Sequence, residues 1–355
     1  MKVALIGPPQ SGKSTLFAAV AEAGGSHIDV HRADQPHLAV VKVPDERVLW
    51  LADHYKPKKV TFAELEFLDI PGFDLADEAG RTRSKAHWPA MRQSDLLVFV
   101  VRAFASDAVA AYRDRIDPKS DVEELRAEML FADMDQVASR IEKIETALKK
   151  PSPKKDEQLR ELDLMKRLRD ALENEKPISA AVQSEAEGKL LRSFGFLSQK
   201  PALVVLNCGE DVSSQTAAQV GGLESLALSA KIEEEISQLP PEERKDFLAD
   251  LGVGASARDR LVQACYRLLN LVSFLTAGED ECRAWTIVSG TDAVTAATEI
   301  HSDIARGFIR AETVSFGDLK AGGDMKGAKA AGRIRLEGKT YVVQDGDIIN
   351  FRFAV

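Results

Sequence analysis

The sequence predicts an α/β chain in which helices alternate with the strands of a sheet, a helical hairpin is inserted, and a small β-rich domain follows. Three observations predict it. Short apolar runs alternate with amphipathic ones between residues 1 and 101 and again after residue 200. An apolar repeat of heptad type fills residues 130–172. Residues 339–353, KTYVVQDGDIINFRF, read strand, Asp345-Gly346 turn, strand. With 355 residues the chain is too long for one typical domain. The expected division is 1–119 with 200–275 for the α/β domain, 120–199 for the hairpin and 276–355 for the C-terminal domain.

Composition narrows the class. Apolar residues make up 45% and charged residues 29%, which suits a globular protein with a real core. There is no apolar run long enough to span a membrane. The first residues, MKVALIGPP, read as a buried strand rather than a signal peptide. Cys208, Cys265 and Cys282 lie far apart, as expected of reduced thiols. A cytoplasmic protein without membrane or DNA partners is expected. The net charge of −9 repels nucleic acid globally, so any RNA contact must be local.

Met1 to Ile6 is the first apolar strand. GPPQSGKST follows, Gly7, Pro8, Pro9, Gln10, Ser11, Gly12, Lys13, Ser14 and Thr15, and then an amphipathic run to Ala23. This is G-x-x-x-x-G-K-[ST] between a strand and a helix, the context of a phosphate-binding P-loop. Gly7 and Gly12 permit a backbone that turns successive N–H groups onto phosphate oxygens. The helix N-terminus adds its dipole. Lys13 reaches the β- and γ-phosphates, and the Ser14 hydroxyl ligates Mg²⁺. Next, LEFLDIPGF (65–73) is a strand ending in Asp69. Behind a P-loop, D-x-x-G places Asp69 on Mg²⁺ through water and the Gly72 N–H on the γ-phosphate. Residues 95–101, DLLVFVV, give a third strand.

Residues 120–176 break the alternation. Ser120 with Glu123 forms a capping box. Leu130, Met134, Val137, Ile141, Ile144 and Leu148 make a coiled-coil seam, and KKPSPKK (149–155) stops the helix. Leu159, Leu162, Met165, Leu168 and Leu172 answer it on a second helix. The tip carries Lys149, Lys150, Lys154 and Lys155, which could be a solvated turn or a contact to RNA phosphates.

ALVVLNCGED (202–211) is a fourth buried strand, ending in Asn207-Cys208-Gly209-Glu210. LALSAKI (226–232) is read as a fifth, ending in Ser229-Ala230-Lys231. In GTPases the first of these segments is N-K-x-D, whose aspartate accepts from guanine. Cys208 and Glu210 replace that lysine and aspartate. A carboxylate gains nothing from adenine, which has no amine there, and the longer Glu210 cannot hold guanine in the usual geometry.

The order GPPQSGKS, DIPG, NCGE, SAK, with the tail from Ala284, resembles the YchF subfamily of Obg-related P-loop NTPases over nearly the whole chain. The tail resembles that family's TGS-type domain, a β-grasp fold. The resemblance implies binding of ATP in preference to or alongside GTP, and a ribosome or ribosomal RNA partner. It also implies a hydrophobic residue, Phe73, where other GTPases carry the catalytic glutamine. The sequence departs from the family in three places. Gln10-Ser11 replaces the usual Asn-Val. Ala33 falls where switch I carries a threonine, and none occurs between His27 and Val43. Switch II, DLADEAGRTRSKAHW, holds Gly80 as its only glycine. Slow hydrolysis is therefore expected, with Lys13, Asp69, Gly72 and His87 as catalytic candidates. A nucleotide-binding scaffold with little turnover is the alternative. A metabolic kinase fits poorly, because kinases do not read a base through N-x-x-E and S-A-K. His27, His31 and His37 raise a metal site, but no cysteine or carboxylate set completes it.

Overall fold

The computed structural model describes residues 1–22, 36–151, 153–209, 219–250 and 256–354. Among these the strands are β1 (Lys2–Ile6), β2 (His37–Lys42), β3 (Lys59–Thr61), β4 (Glu64–Asp69), β5 (Leu96–Ala103), β6 (Ala202–Cys208), β7 (Gln219–Val220), β8 (Leu223–Leu228), β9 (Leu271–Ala277), β10 (Glu281–Val288), β11 (Phe308–Ser315), β12 (Arg335–Glu337) and β13 (Asp347–Phe353). They form a seven-stranded sheet, β2-β4-β1-β5-β6-β8-β7, and a six-stranded sheet, β12-β11-β13-β9-β10-β3. The chain divides into two compact units, 1–39 with 67–244 and 40–66 with 245–355.

In the first unit β1, β5, β6 and β8 run parallel. Strands covered by helices on both faces need continuous apolar runs, and β5 supplies one, with Leu96 to Val101 all buried. Helix α1 (Lys13–Glu22) follows β1 directly. The hairpin consists of α5 (Pro118–Leu148) and α6 (Lys155–Glu173); α2 to α4 are Glu46–Tyr55, Glu78–Lys85 and Trp88–Arg92, and α7 is Glu185–Arg192. One helix serves two cores. Val122, Leu125 and Met129 of α5 pack with Phe99 and Leu206 of the sheet, whereas Val137, Ile141 and Ile144 pack with Leu164, Met165 and Leu168 of α6.

Several expectations change. Helix α5 starts at Pro118, not Ser120. Asp117 caps it by accepting from the Ser120 N–H at 3.1 Å, and the Ser120 hydroxyl accepts from Arg115 at 2.7 Å. Proline suits the first helical position, where its missing N–H would have no intrahelical partner. Leu159, expected in the seam, is 46% exposed. On that turn of α6 the partly buried positions are Gln158, Glu161 and Leu162, and Arg140 of α5 pairs with Glu161, so Leu159 lies off the stripe that meets α5. The fifth strand ends at Leu228; Ser229 caps α8 (Ala230–Gln238) through the Ile232 N–H at 3.3 Å, so Ala230 and Lys231 open a helix.

In the second unit β9 and β10 form an antiparallel pair, and β13 lies parallel to β9 and antiparallel to β11. Helix Ala293–Ile300 buries Ala293, Ala296 and Ala297 against Phe274, Ile287 and Phe351. Hairpin, helix and a returning strand beside the first are the β-grasp order. The expected boundary at Thr276 falls inside β9. The short β3 joins this sheet through Lys59–Thr61 beside Glu281–Arg283, a pairing across some two hundred residues that local pattern cannot reveal. Residues 339–343, read as a strand, form no ladder strand. The Ala293 N–H donates to the Tyr341 carbonyl and the Val343 N–H to the Thr291 carbonyl, so the segment is held at the start of that helix.

Candidate nucleotide site

The cradle is built where β1 turns into α1. Gly7 is dictated by close approach, since a Cβ there would stand 2.2 Å from the Val100 carbonyl oxygen. Gly12 has φ +84°, and its Cβ would meet Asn207 Nδ2 at 2.0 Å. Gln10 also takes the left-handed region, with φ 63°. The α1 ladder begins with the Leu16 N–H on the Gly12 carbonyl at 3.0 Å, leaving the preceding N–H groups at the helix N-terminus for an anion.

The D-x-x-G segment lies against this loop. The Ile70 N–H donates to the Leu5 carbonyl at 3.1 Å and the Phe73 N–H to the Gly7 carbonyl at 2.9 Å. A Cβ on Gly72 would come within 3.3 Å of Pro9. Lys13 Nζ forms an ion pair with Asp69, and both side chains are nearly fully buried. Ser14 Oγ donates to the other Asp69 oxygen at 3.0 Å. The cradle encloses about 360 Å³ between residues 8–15 and Asp69, Pro71, Gly72 and His37. The structure thus brings together Pro8, Pro9, Gln10, Ser11, Gly12, Lys13, Ser14, Thr15, Asp69 and Gly72 as the sequence predicts.

Asn207 braces the far side of the loop. Its Nδ2 donates to the Ser11 carbonyl at 2.8 Å, and its Oδ1 accepts from the Ala230 N–H at 2.9 Å. One amide therefore ties the P-loop to the start of α8. The Cys208 thiol is buried, which pushes its pKa up, and it donates to the Leu206 carbonyl at 3.5 Å. Glu210, the residue on which the base preference turns, lies outside the described residues, as do His27, His31 and Ala33. Among the described residues no metal-ligand cluster of histidine, cysteine and carboxylate occurs.

On the switch II side Phe73 is 1% exposed and packs on Trp88 at 5.2 Å. It is a core residue with no group to orient water. His87 stands edge-on to Phe73 at 6.3 Å. Burial, and then the Lys13 charge, lower its pKa below the ordinary histidine value. His37, which the sequence offers to a switch loop or a metal site, lines the cradle wall. The Cβ of Phe104, just past β5, lies 3.8 Å from the Cβ position of Gly209, just past β6. No sequence motif marks this approach.

Comparison with known proteins agrees with this geometry. The YchF-GTPase_C family, described as a protein of unknown function, matches residues 271–354, and the 50S ribosome-binding GTPase family matches residues 2–132. The chain is 39% identical to the ribosome-binding ATPase YchF of Bacillus subtilis (strain 168), over 99% of this chain and 98% of the relative. It is 34% identical to Obg-like ATPase 1 of Oryza sativa subsp. japonica, over 100% and 92%. The solved Schizosaccharomyces pombe YchF GTPase superposes with a TM-score of 0.84 at 28% identity, covering 99% of this chain and 97% of that one. With its P-loop, its N-x-x-E strand end and relatives matching end to end, this chain belongs to the YchF family of P-loop NTPases.

Proposed function

We propose that this protein is a cytoplasmic, ribosome-associated switch that binds ATP, and GTP more weakly or equally, and hydrolyses it slowly to ADP and phosphate. The observation that carries the nucleotide reading is the meeting of Lys13, Ser14 and Asp69 at the mouth of a helix N-terminus. Oxygen donors of this kind fit a hard cation, so Ser14 directly and Asp69 through water would hold Mg²⁺. When bound, Mg²⁺ neutralises charge on the transferred phosphoryl group. Lys13 and the loop N–H groups would bind the phosphates, and Gly72 would offer its N–H to the γ-phosphate. The ribosome enters through the names of the relatives, which are ribosome-binding ATPases in several bacteria.

Adenine preference rests on Glu210 in place of the guanine-reading aspartate, with Asn207, Ser229, Ala230 and Lys231 completing the base side. Affinities for ATP and GTP measured side by side test it. Equal or tighter ATP binding is expected; GTP bound more than about tenfold tighter overturns it, a difference of ~1.4 kcal/mol. The burial of Phe73 favours one second reading, a nucleotide-binding scaffold with little hydrolysis. Single-turnover hydrolysis with Mg²⁺ separates the two.

A further inference from the structure

Switch II leaves the cradle through Asp74 and Leu75. Leu75 is 4% exposed, and both polar groups of its backbone are taken by side chains of one short turn, Tyr112–Asp114. The Leu75 N–H donates to the Tyr112 hydroxyl at 2.6 Å, and the Leu75 carbonyl accepts from Arg113 Nη2. The same hydroxyl donates to the Asp74 carboxylate at 3.3 Å. The Arg113 guanidinium lies over the Tyr112 ring, 5.2 Å from its centroid. Two consecutive side chains thus serve residue 75 as a neighbouring strand would.

The turn that carries them is strained. Arg113 and Asp114 both lie in the left-handed region, with φ 55° and 54°. Glycine takes such angles freely and arginine rarely does, so the conformation persists only where its surroundings hold it. Helix α5 does so here. Arg113 Nη1 pairs with Glu124 at 2.7 Å, and Arg115 Nη2 reaches the other Glu124 oxygen at 2.9 Å. One helical turn further on, Glu128 pairs with Arg81 of α3 at 2.8 Å. Glu124 and Glu128 share a face of α5, so that face meets switch II twice. Helix α3 in turn packs on Asp74, since a Cβ on Gly80 would stand 2.7 Å from the Asp74 carbonyl oxygen.

We propose that Tyr112 and Arg113 are positioning residues for ATP hydrolysis: they clamp the Leu75 peptide to the start of the hairpin helix and so fix the path of switch II from Gly72 into α3. This rests on the nucleotide reading above. Between Gly72 and the clamp, the Phe73 N–H is held by the Gly7 carbonyl at 2.9 Å. The segment therefore has one end on the P-loop and the other on α5. Tyr112 and Arg113 touch none of the residues assigned to phosphate or Mg²⁺, so the clamp acts on the chemical step and not on the hold of the nucleotide.

The experiment sets single-turnover hydrolysis of Mg·ATP beside affinity for Mg·ADP, which lacks the γ-phosphate. Tyr112→Phe keeps the ring and removes the hydroxyl. It is expected to slow hydrolysis about tenfold with ADP affinity unchanged, less than the roughly hundredfold that a misplacement of about 1 Å can cost. Arg113→Met should slow it similarly. Arg113→Lys should recover little, because an ammonium has no fork to span Glu124 and the Leu75 carbonyl. Amide hydrogen exchange at Leu75, read without nucleotide, should quicken in Tyr112→Phe while exchange at Leu16 in α1 does not. Should Arg113→Met fail to fold, Tyr112→Phe carries the comparison. Native-like hydrolysis or native-like Leu75 exchange in Tyr112→Phe overturns the proposal. So does a parallel loss of ADP affinity, which would make the turn a support of the whole cradle. A native protein that binds ATP without hydrolysing it overturns the hydrolysis reading and the proposal together, whereas native turnover that survives in Tyr112→Phe overturns the proposal alone.

Discussion

Lys13 and Asp69 neutralise each other across the cradle, so each is placed for the ligand by the other. Lys13→Ala is expected to remove triphosphate binding, since losing a buried charged hydrogen bond costs ~1.5–3 kcal/mol. Unchanged ATP affinity in a folded mutant would sink the site. Ser11 is the opposite case. It is 2% exposed, and its hydroxyl has no hydrogen-bond partner among the described residues. A buried polar group left in that condition costs ~1–3 kcal/mol, so Ser11→Ala should leave stability equal or higher in urea unfolding without nucleotide. A clear loss would show that the hydroxyl has a partner. His87 supplies a pH test. Its lowered pKa keeps it neutral at neutral pH, so the unfolded chain takes up this proton first as pH falls through about 6.5. Stability due to this group therefore declines as pH drops from there to the lowered folded value, then levels off. If His87 also orients the attacking water, single-turnover hydrolysis falls only below that lowered value, and His87→Ala removes the fall. An unchanged rate and profile in that variant would acquit His87.

At the scale of elements, a buried carboxylate reinforces the apolar contacts of Val122, Leu125 and Met129 that seat the hairpin on the sheet. Asp133 of α5 is 0% exposed and accepts from Arg92 Nη1 at 2.7 Å, from the Leu197 and Ser198 N–H groups at 3.1 and 2.8 Å, and from Ser198 Oγ at 2.8 Å. Asp133→Ala strands these donors in the interior. The expected cost is ~3–5 kcal/mol in chemical denaturation, the usual penalty for removing one partner of a buried pair. A change under about 1 kcal/mol would mean that water replaces the carboxylate. No periodicity announces such an anchor. What was legible were features with local physical causes: the glycines of the loop, the unbroken apolar run of β5, and the seam from Val137 to Ile144. What was not legible depended on distant partners. The Tyr341–Val343 run looks like a strand until its hydrogen bonds go to residues 291–293, and β3 finds its partner β10 only across some two hundred residues of chain. Asp117 is masked as a cap in the sequence by Ser120 and Glu123, which make a plausible box of their own.

For the whole molecule the question is how a chain of net charge −9 would reach the ribosome proposed as its partner. Long-range attraction to RNA is ruled out by sign, so contact must come from patches that act within a Debye length, about 8 Å at physiological salt. The hairpin tip is such a patch. Helix α5 has 31 residues, a span of roughly 46 Å at the usual rise, and its far half packs on α6 rather than on the sheet. Lys149, Lys150, Lys154 and Lys155 are all exposed at its end. Each phosphate they neutralise releases counterions, steepening the fall of log affinity with log salt by roughly 0.7–0.9. Replacing all four by glutamate should therefore weaken co-sedimentation with ribosomes and flatten the salt slope by about 3. ATP affinity should not change, because none of the four lines the cradle. If the charge-reversed protein sediments as well as the original at every salt concentration, the hairpin is a spacer. The contact then belongs to the C-terminal sheet or to the switch segments.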